Sequence, residues 1–338
     1  MKRRTPERPR CLCGRAFAAR APFGRRMLWL RRGAAELTVL GSGPSRWAGP
    51  SPTACSLLRR LRRYPRKKPS AAAYELSMTR WRNPSGLPLA SAGWLEAHHR
   101  AKLSERRIFA ERLAVYKPSR VVDLGCGTGL WLELLNDVLE PGCEVIGVDT
   151  DEGSLAEARR RSAGWPRPVT FERLDIEAEP ERVPAADMTL AFNIFPYLKA
   201  PAELLSIIAD RRGTLAVRQY DGAALRFGPM EPRRRDLIES SLRASVGSSS
   251  QFRHYDLDRA FELLAKSSFK RKELGFELFS RTAPFPEEFL AYYEGTLNWT
   301  LDLLSEAAAD ALTTWLDQPS NGGAARYFFE VDLTAILS

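Results

Sequence analysis

A glycine-rich loop is the first stretch of this sequence whose residue types and spacing could do chemistry. Residues 121–124 form a short apolar run, and Gly125, Gly127 and Gly129 follow it at alternate positions. Glycine permits a tight turn and lets a ligand approach the backbone closely. The G-x-G-x-G spacing differs from the G-x-G-x-x-G of dinucleotide-binding loops. Asp123, just before the glycines, suits a ligand with a positive end better than a pyrophosphate.

Polar residues also follow the next three predicted strands. Asp149 ends the second strand, where a carboxylate can accept hydrogen bonds from both hydroxyls of a ribose. Asp175 follows the third strand beside Ile176, so the acid can receive an adenine amino group while apolar neighbours hold the ring. Asn193 and Ile194 lie in the loop after the fourth strand. Ligands of open α/β sheets bind outside the carboxyl ends of the strands, so one nucleoside-binding crevice is predicted.

The elements that must position these residues alternate along the chain from Ser119 onward. Strands are predicted over 121–124, 144–149, 169–174, 188–192, 214–220, 270–280 and 327–333, and helices over 92–116, 129–139, 151–161, 202–209 and 256–266. This alternation predicts the α/β class, with a doubly wound, mostly parallel sheet and helices on both faces. Residues 221–253 are predicted to be a loop with one short helix. Residues 284–318 are predicted to be a helical insertion, which either covers the crevice or is a plain packing pair.

The sequence Asp-Leu-Gly-Cys-Gly-Thr-Gly at 123–129, Gly-Val-Asp at 147–149 and the position of Asp175 resemble the class I S-adenosylmethionine-dependent methyltransferases. The resemblance covers roughly residues 92–338 and is strongest over 119–198. It implies a seven-stranded sheet whose last strand is antiparallel, with the helical insertion before that strand. It also implies S-adenosyl-L-methionine as the cofactor.

The resemblance further implies how the cofactor is held. The methionine part would lie over the glycine loop, with its amino group near an acid, and the ribose, the adenine and the sulfonium would each meet one later strand end. The methionine part would meet Gly125, Gly127, Gly129 and Asp123, the ribose Asp149, the adenine Asp175 and Ile176, and the sulfonium Asn193 and Ile194. Cys126 and Thr150 adjoin these residues.

Candidate catalytic residues surround the same crevice. Methyl transfer from a sulfonium is an in-line displacement, for which an enzyme mainly supplies alignment and a dry pocket. A base is needed only if the acceptor loses a proton. Tyr220 and Asp221 directly follow the fifth strand, and His98 lies on the helix before the first strand. His98 and Lys102 would close over the cofactor carboxylate or form a solvated helix face. A structural role stays open for each residue, and no metal is predicted.

The charge of the 338-residue chain is unevenly distributed. Its formal net charge is +10, yet residues 1–77 hold 19 Lys or Arg and three Glu with no Asp. Residues 78–338 are therefore mildly acidic, which argues against a body built to hold a phosphate backbone. Residues 1–77 are predicted to be a disordered leader or a spurious upstream extension, an organellar transit peptide, or a nucleic-acid-binding arm. Residues 78–338 are predicted to be the methyltransferase domain.

The predicted function is S-adenosylmethionine-dependent methyl transfer to a small-molecule acceptor. The alternatives are an RNA methyltransferase that uses the basic arm and a cofactor-binding protein without catalysis. No apolar run approaches the ~18 residues that span a bilayer, so no membrane partner is expected. Five scattered cysteines suggest reduced thiols and favour a cytoplasmic location, or an organellar one if residues 1–77 are a transit peptide. Nucleic acid is not favoured as a partner, and the oligomeric state stays open.

Overall fold

The computed structural model describes residues 91–248, 257–318 and 326–338, so the predicted boundary between residues 77 and 78 lies outside the described residues. Short 3₁₀ turns occur at Pro180–Arg182 and Phe195–Tyr197. In chain order the other elements are α1 (Ala92–Ala101), α2 (Leu103–Ala114), β1 (Arg120–Leu124), α3 (Leu130–Val138), β2 (Glu144–Asp149), α4 (Glu152–Ser162), β3 (Val169–Arg173), β4 (Met188–Phe192), α5 (Pro201–Asp210), β5 (Thr214–Gly228), α6 (Pro232–Ser248), α7 (Leu257–Lys266), β6 (Lys272–Thr282), α8 (Glu287–Leu303), α9 (Glu306–Asp317) and β7 (Tyr327–Leu337).

The strands form one seven-stranded sheet in the order β3-β2-β1-β4-β5-β7-β6. The first five pair in parallel, and β7 pairs antiparallel with both β5 and β6. The predicted α/β class, the mostly parallel sheet and the antiparallel last strand are confirmed. The central strands are short and apolar because helices cover both of their faces, as in other parallel sheets. The sheet therefore brings the carboxyl ends of β1, β2 and β4 to one edge.

The predicted helix over 92–116 is two helices that meet at Lys102. The backbone at Lys102 has φ −110° and ψ 20°, outside the helical region, and it separates α1 from α2. The Lys102 side chain is fully buried and bonded to Asp332 on β7. A distant strand thus sets the break, which the local helical pattern could not reveal.

The prediction of a loop over 221–253 is wrong for its described part. Strand β5 continues to Gly228 through a bulge between Tyr220 and Leu225, and α6 then runs for 17 residues. Residues 249–253 lie outside the described residues. A bulge adds residues without ending a strand, so the polar, glycine-containing stretch stays in the sheet. A side chain at Gly222 would meet Trp299 of α8 at 2.7 Å, so the bulge brings β5 close against α8.

Helices α8 and α9 occupy the predicted insertion between β6 and β7. Aromatic residues of α8 are buried against the far half of β5 and β7, and α8 also packs on α1. Close ring pairs join Tyr293 to Phe227 at 5.7 Å and Phe289 to Phe328 at 5.7 Å. The insertion is therefore part of the core at the β5–β7 side of the sheet. It also holds α1, the helix that carries His98.

Candidate functional site

The glycine loop after β1 is held open by backbone conformations that favour glycine. Gly125, Gly127 and Gly129 have φ of 67°, 53° and 78°, in the left-handed region that costs other residues energy. A side chain on Gly125 would also lie 2.7 Å from Cγ2 of Ile194. The predicted residue Ile194 thus packs directly over the loop, and the loop requires glycine on two separate grounds.

Asp149 holds the middle of this loop from the end of β2. Its Oδ2 accepts a hydrogen bond from the backbone N–H of Gly127 at 2.8 Å, and its Oδ1 accepts one from that of Asp151 at 2.9 Å. Burial raises the pKa of Asp149, although these backbone donors counter the shift. The carboxylate therefore lies against the loop where a nucleoside hydroxyl would have to be received. It is partly exposed rather than sealed in the core.

Asp123 is a buried acid beside the same loop. Its side chain is 2% exposed, and burial, followed by the nearby charge of Asp149, raises its pKa well above the ordinary value. A carboxyl group kept in this environment is stabilised as an anion only when a cation joins it. The amino group of a methionine moiety would meet this requirement, and the role of Asp123 toward it stays a prediction.

Cys126 contributes to the loop by packing and by its backbone. Its thiol is buried, and burial, followed by Asp123, raises its pKa well above the ordinary value. A side chain on Gly147 would meet the Cys126 sulfur at 2.8 Å, so the sulfur fills the space above β2. A protonated, enclosed thiol is a poor nucleophile. Both Cys126 and Cys143, the cysteines in the described ranges, are free.

The residues predicted to hold the adenine have partly structural roles. Oδ1 of Asp175 accepts hydrogen bonds from the backbone N–H groups of Glu177 and Ala178 at 3.0 and 3.1 Å, so it closes the turn after β3. Ile176 is 8% exposed and belongs to the core under the sheet. The carbonyl of Thr150 accepts from Arg173 at 3.2 Å. Their roles toward a nucleobase stay predictions.

Asn193 connects the end of β4 to the end of β5. It has a φ of 56°, its N–H donates to the carbonyl of Arg218 at 2.8 Å, and its Oδ1 accepts from the N–H of Tyr220 at 3.0 Å. Asparagine tolerates this left-handed conformation better than most residues. The contact joins the predicted sulfonium side of the cofactor site to the predicted catalytic residue Tyr220.

His98 is brought to Tyr220 by an aromatic cage. Its ring centroid lies 4.9 Å from that of Trp94, 5.0 Å from that of Tyr292 in a stacked arrangement, and 6.0 Å from that of Tyr220. Asp221 follows Tyr220 on β5, but its side chain lies outside the described residues. The structure thus brings two of the three predicted catalytic residues together.

The hydrogen bonds of His98 favour a role as a hydrogen-bond donor over a role as a general base. A guanidinium can only donate, so Nδ1 of His98, 3.4 Å from Arg106, and Nδ1 of His99, 2.8 Å from it, both accept. The proton of a neutral His98 ring is then on Nε2. Burial, followed by the charges of Arg106 and Lys102, lowers the pKa of His98 well below its ordinary value. His98 is therefore a neutral ring with a buried Nε2–H.

A group of buried charges, here called the charge cluster, was missed by the sequence analysis. Nζ of Lys102 lies 2.9 Å from Asp332 and also pairs with Glu330; Arg218 lies 2.7 Å from both Asp332 and Glu277. This corrects both expectations for Lys102. Two carboxylates of β7 hold its side chain, so it does not close over the cofactor carboxylate, and it is fully buried, so it forms no solvated helix face. Burial acts to raise the pKa of Asp332, but Lys102 and Arg218 outweigh it and lower the pKa.

One signal in the sequence pointed to this cluster. Two acids, Glu330 and Asp332, alternate on the otherwise apolar strand β7, and alternate residues share one face of a strand. Acids buried on such a face need cations. One of these cations is Arg218 on β5, and nothing in the local sequence around it showed that its partner lies on β7.

Helix α1 is tied to the glycine loop by one arginine. Arg161 on α4 reaches Glu96 of α1 and Glu133 of α3, each at 3.0 Å, and donates to the carbonyl of Thr128 at 3.1 Å. Leu95 of α1 lies 4.0 Å from where a side chain on Gly127 would stand. The helix that carries His98 therefore lies against the predicted cofactor loop.

The fold and the loop geometry together define a Rossmann-like methyltransferase architecture. Residues 121–211 match the family profile described as "Methyltransferase domain", and this segment is a class I S-adenosylmethionine-dependent methyltransferase domain. The predicted recognition, and S-adenosylmethionine as the cofactor of this family, are confirmed. The profile covers β1 to the end of α5 and thus every predicted cofactor residue.

Curated relatives match the same part of the chain. The trans-aconitate 2-methyltransferase of Methylobacterium nodulans is 40% identical over 32% of this chain and 42% of its own length. The malonyl-[acyl-carrier protein] O-methyltransferase of Anoxybacillus flavithermus is 32% identical over 29% and 36%. The demethylmenaquinone methyltransferase of Thermus thermophilus is 36% identical over 36% and 56%. The chain thus spans about half or less of the length of these relatives.

Two further findings concern the described ranges. They contain no group of three or more His, Cys, Asp or Glu placed to hold a metal ion. No helix in them is long and apolar enough to cross a membrane.

Proposed function

We propose that this chain binds S-adenosyl-L-methionine at the glycine loop and transfers its methyl group to a small-molecule acceptor. The observation that carries the proposal is the contact of Asp149 with the backbone N–H of Gly127 at 2.8 Å, beside the buried acid Asp123. In this proposal Asp149 faces the ribose, and Asp123 faces the ammonium group. Both lie on the segment that matches the methyltransferase domain.

The chain's own residues would bind and align the reactants. Asp123 and Asp149 hold the two polar ends of the cofactor, while Ile194 and Asn193 limit its movement on the side of β4. The cofactor supplies an activated methyl group, so in-line alignment and exclusion of water account for most of the rate. Tyr220 and His98 lie together next to Asn193, which makes the space on this side of the sheet the place for the acceptor.

The names of two of the three relatives support a small-molecule acceptor. Two of them are named for the methylation of trans-aconitate and of demethylmenaquinone, and a third for that of malonyl-[acyl-carrier protein]. The three names therefore agree on methyl transfer and differ in the acceptor.

Calorimetric titration of the full chain tests the proposal. S-adenosylmethionine and S-adenosylhomocysteine should bind, and NAD should not. Asp149→Ala should weaken binding by about 1.5–3 kcal/mol, the contribution of hydrogen bonds to a charged group. Glu152→Ala, which removes an exposed acid paired with Arg159, is the matched control and should bind as the wild type does. Binding of NAD alone, or an Asp149→Ala variant with unchanged affinity, would contradict the proposal.

A further inference from the structure

Arg106 is a buried cation whose contacts differ from those of its neighbours. Its side chain is 5% exposed, and its guanidinium lies over the Trp131 ring at 5.1 Å. Its hydrogen-bonding neighbours are the neutral rings of His99 and His98. Lys102 and Arg218 are equally buried, but each contacts carboxylates. Within the described ranges, no carboxylate is paired with Arg106.

Two buried donors at this place lack partners. Nε of Arg106 and Nε2 of His98 are both enclosed, and neither has a hydrogen-bond partner in the part of the chain that the structure describes. Since Nδ1 of His98 accepts from Arg106, its Nε2 carries the proton and is a donor. An enclosed donor without an acceptor costs about 1–3 kcal/mol.

Arg106 is positively charged at neutral pH. Burial, followed by the nearby Arg218 guanidinium, lowers the pKa of Arg106 to about 10, so it stays protonated at neutral pH. His98 and His99 add no positive charge, because burial, followed by the charge of Arg106, lowers the pKa of both rings, that of His99 to about 3. The group therefore offers one positive charge and several N–H donors.

From these observations, we propose that Arg106 and the Nε2–H of His98 form a carboxylate-binding subsite for the methyl acceptor. A guanidinium matches the two oxygens of a carboxylate in its planar fork, and an imidazole N–H can add a further bond. The proposal rests on the proposed function, and it specifies the chemical class of the acceptor.

The position of Arg106 favours the acceptor over the cofactor as the source of the carboxylate. Its charged neighbours are Arg218, Asp332 and Glu330 on β5 and β7. By contrast, the charged neighbour of Asp123, the acid expected to meet the amino group of the cofactor, is Asp149. His98 links Arg106 to the rings of Tyr220 and Tyr292. The subsite thus lies toward the acceptor side.

The test measures the binding of simple acids to the full chain saturated with S-adenosylhomocysteine. The probes are benzoate, malonate, succinate, glutarate, tricarballylate and citrate, each compared with its amide. At least one acid should raise the unfolding midpoint and bind by calorimetry, while its amide should not. Arg106→Met should weaken that binding about tenfold or more, and Arg106→Lys should restore it in part. Arg107→Met, which removes an exposed partner of Asp137, is the matched control.

His98→Phe provides a second variant if Arg106→Met fails to fold. It keeps an aromatic ring against Tyr292 but removes the Nε2–H, so acid binding should weaken about threefold to tenfold. Loss of S-adenosylhomocysteine affinity in folded Arg106→Met would mean that the subsite serves the cofactor, and would overturn the proposal. Failure of every acid to bind, or equal binding to wild type and both variants, would overturn it as well. If S-adenosylhomocysteine itself does not bind the wild type, the proposed function fails instead.

Discussion

The glycine loop and the charge cluster are formed by different kinds of group. The loop presents backbone N–H groups and a partly exposed acid, Asp149, and its residues lie close together in the sequence. The charge cluster joins side chains that are 230 residues apart, and Lys102 and Asp332 in it are 1% and 3% exposed. Asp149 of the loop keeps part of its surface open to a ligand, while the cluster is closed by its own partners. The first region is suited to binding and the second to holding α1 on the sheet.

The largest effect should come from breaking the charge cluster. Lys102→Met removes the cation that Glu330 and Asp332 share and leaves two buried carboxylates. Breaking a buried pair in this way costs about 3–5 kcal/mol, so the free energy of unfolding in urea should fall by that amount. Affinity for S-adenosylhomocysteine in the folded fraction should change much less.

An exposed lysine pair provides the control for this comparison. Lys266 contacts Glu262 at 2.8 Å on the surface of α7, with side chains 76% and 67% exposed. Lys266→Met should leave stability unchanged, because solvent screens such pairs. If Lys102→Met is no more harmful than Lys266→Met, the cluster does not hold α1, and the contrast between the two regions fails.

The same contrast explains what could be predicted from sequence. The glycine loop, Asp149 and the mostly parallel sheet could be anticipated, because each depends on neighbours in the sequence and on the alternation of strands and helices. The extension of β5 could not, because a short stretch that contains Asp and Gly, such as 221–224, forms a loop unless a partner strand pairs beyond it. Pairing of Leu225 with Glu330 supplies that partner.

The residues of the candidate site likewise divide into those that could be predicted from sequence and those that could not. Asp123 and Ile194 could be placed from motif and strand ends. Arg106 could not, because its significance comes from the ring of Trp131, the two histidines and the absence of a paired carboxylate in the described ranges, all of which need tertiary contacts. Lys102 lies at the break between α1 and α2 rather than within one helix, and its partners on β7 could not be predicted for the same reason.

Asp123 should link cofactor binding to pH. Its pKa in the folded protein is raised by burial and then by Asp149, so the carboxyl group favours its neutral form, and this contribution to stability is lost as pH rises through the raised pKa. An ammonium group favours the ionised form, so binding below that pKa should release a proton. Asp123→Asn should abolish the release and weaken binding by about 1.5–3 kcal/mol.

Calorimetry in buffers of different ionisation enthalpy measures this proton release directly. The titrant is S-adenosylhomocysteine, and Glu152→Gln is the control because Glu152 is an exposed acid paired with Arg159. Equal proton release by the wild type and Asp123→Asn would show that another group titrates. The ammonium would then have a different partner.

Gly125→Ala should damage the loop without affecting the charge cluster. A residue with a side chain at φ 67° is strained by about 1–3 kcal/mol, and its Cβ would lie 2.7 Å from Ile194. Because Ile194 has to move, affinity for S-adenosylhomocysteine should fall together with stability. Gly164→Ala, where nothing lies within 4 Å, is the control. Full affinity in Gly125→Ala would show that the ligand does not need this approach.

The smallest effect should come from loosening the tie between α1 and the loop. Arg161 is 16% exposed and bonds to Glu96, Glu133 and the carbonyl of Thr128. Its loss in Arg161→Met should cost about 1 kcal/mol of cofactor binding, about fivefold in Kd, because a partly exposed network lies between a surface pair and a buried one. Unfolding by urea should change little, since the charge cluster still holds α1.

The neighbouring Arg160 provides the matched control for Arg161→Met. Its side chain is 75% exposed, and its salt-bridge partner in the described ranges is Glu157. Arg160→Met should therefore bind S-adenosylhomocysteine as the wild type does. If both variants bind equally well, α1 is positioned by the charge cluster alone, and the cofactor loop does not depend on the helix above it. If Arg161→Met instead loses stability as Lys102→Met does, the two regions form one cooperative unit.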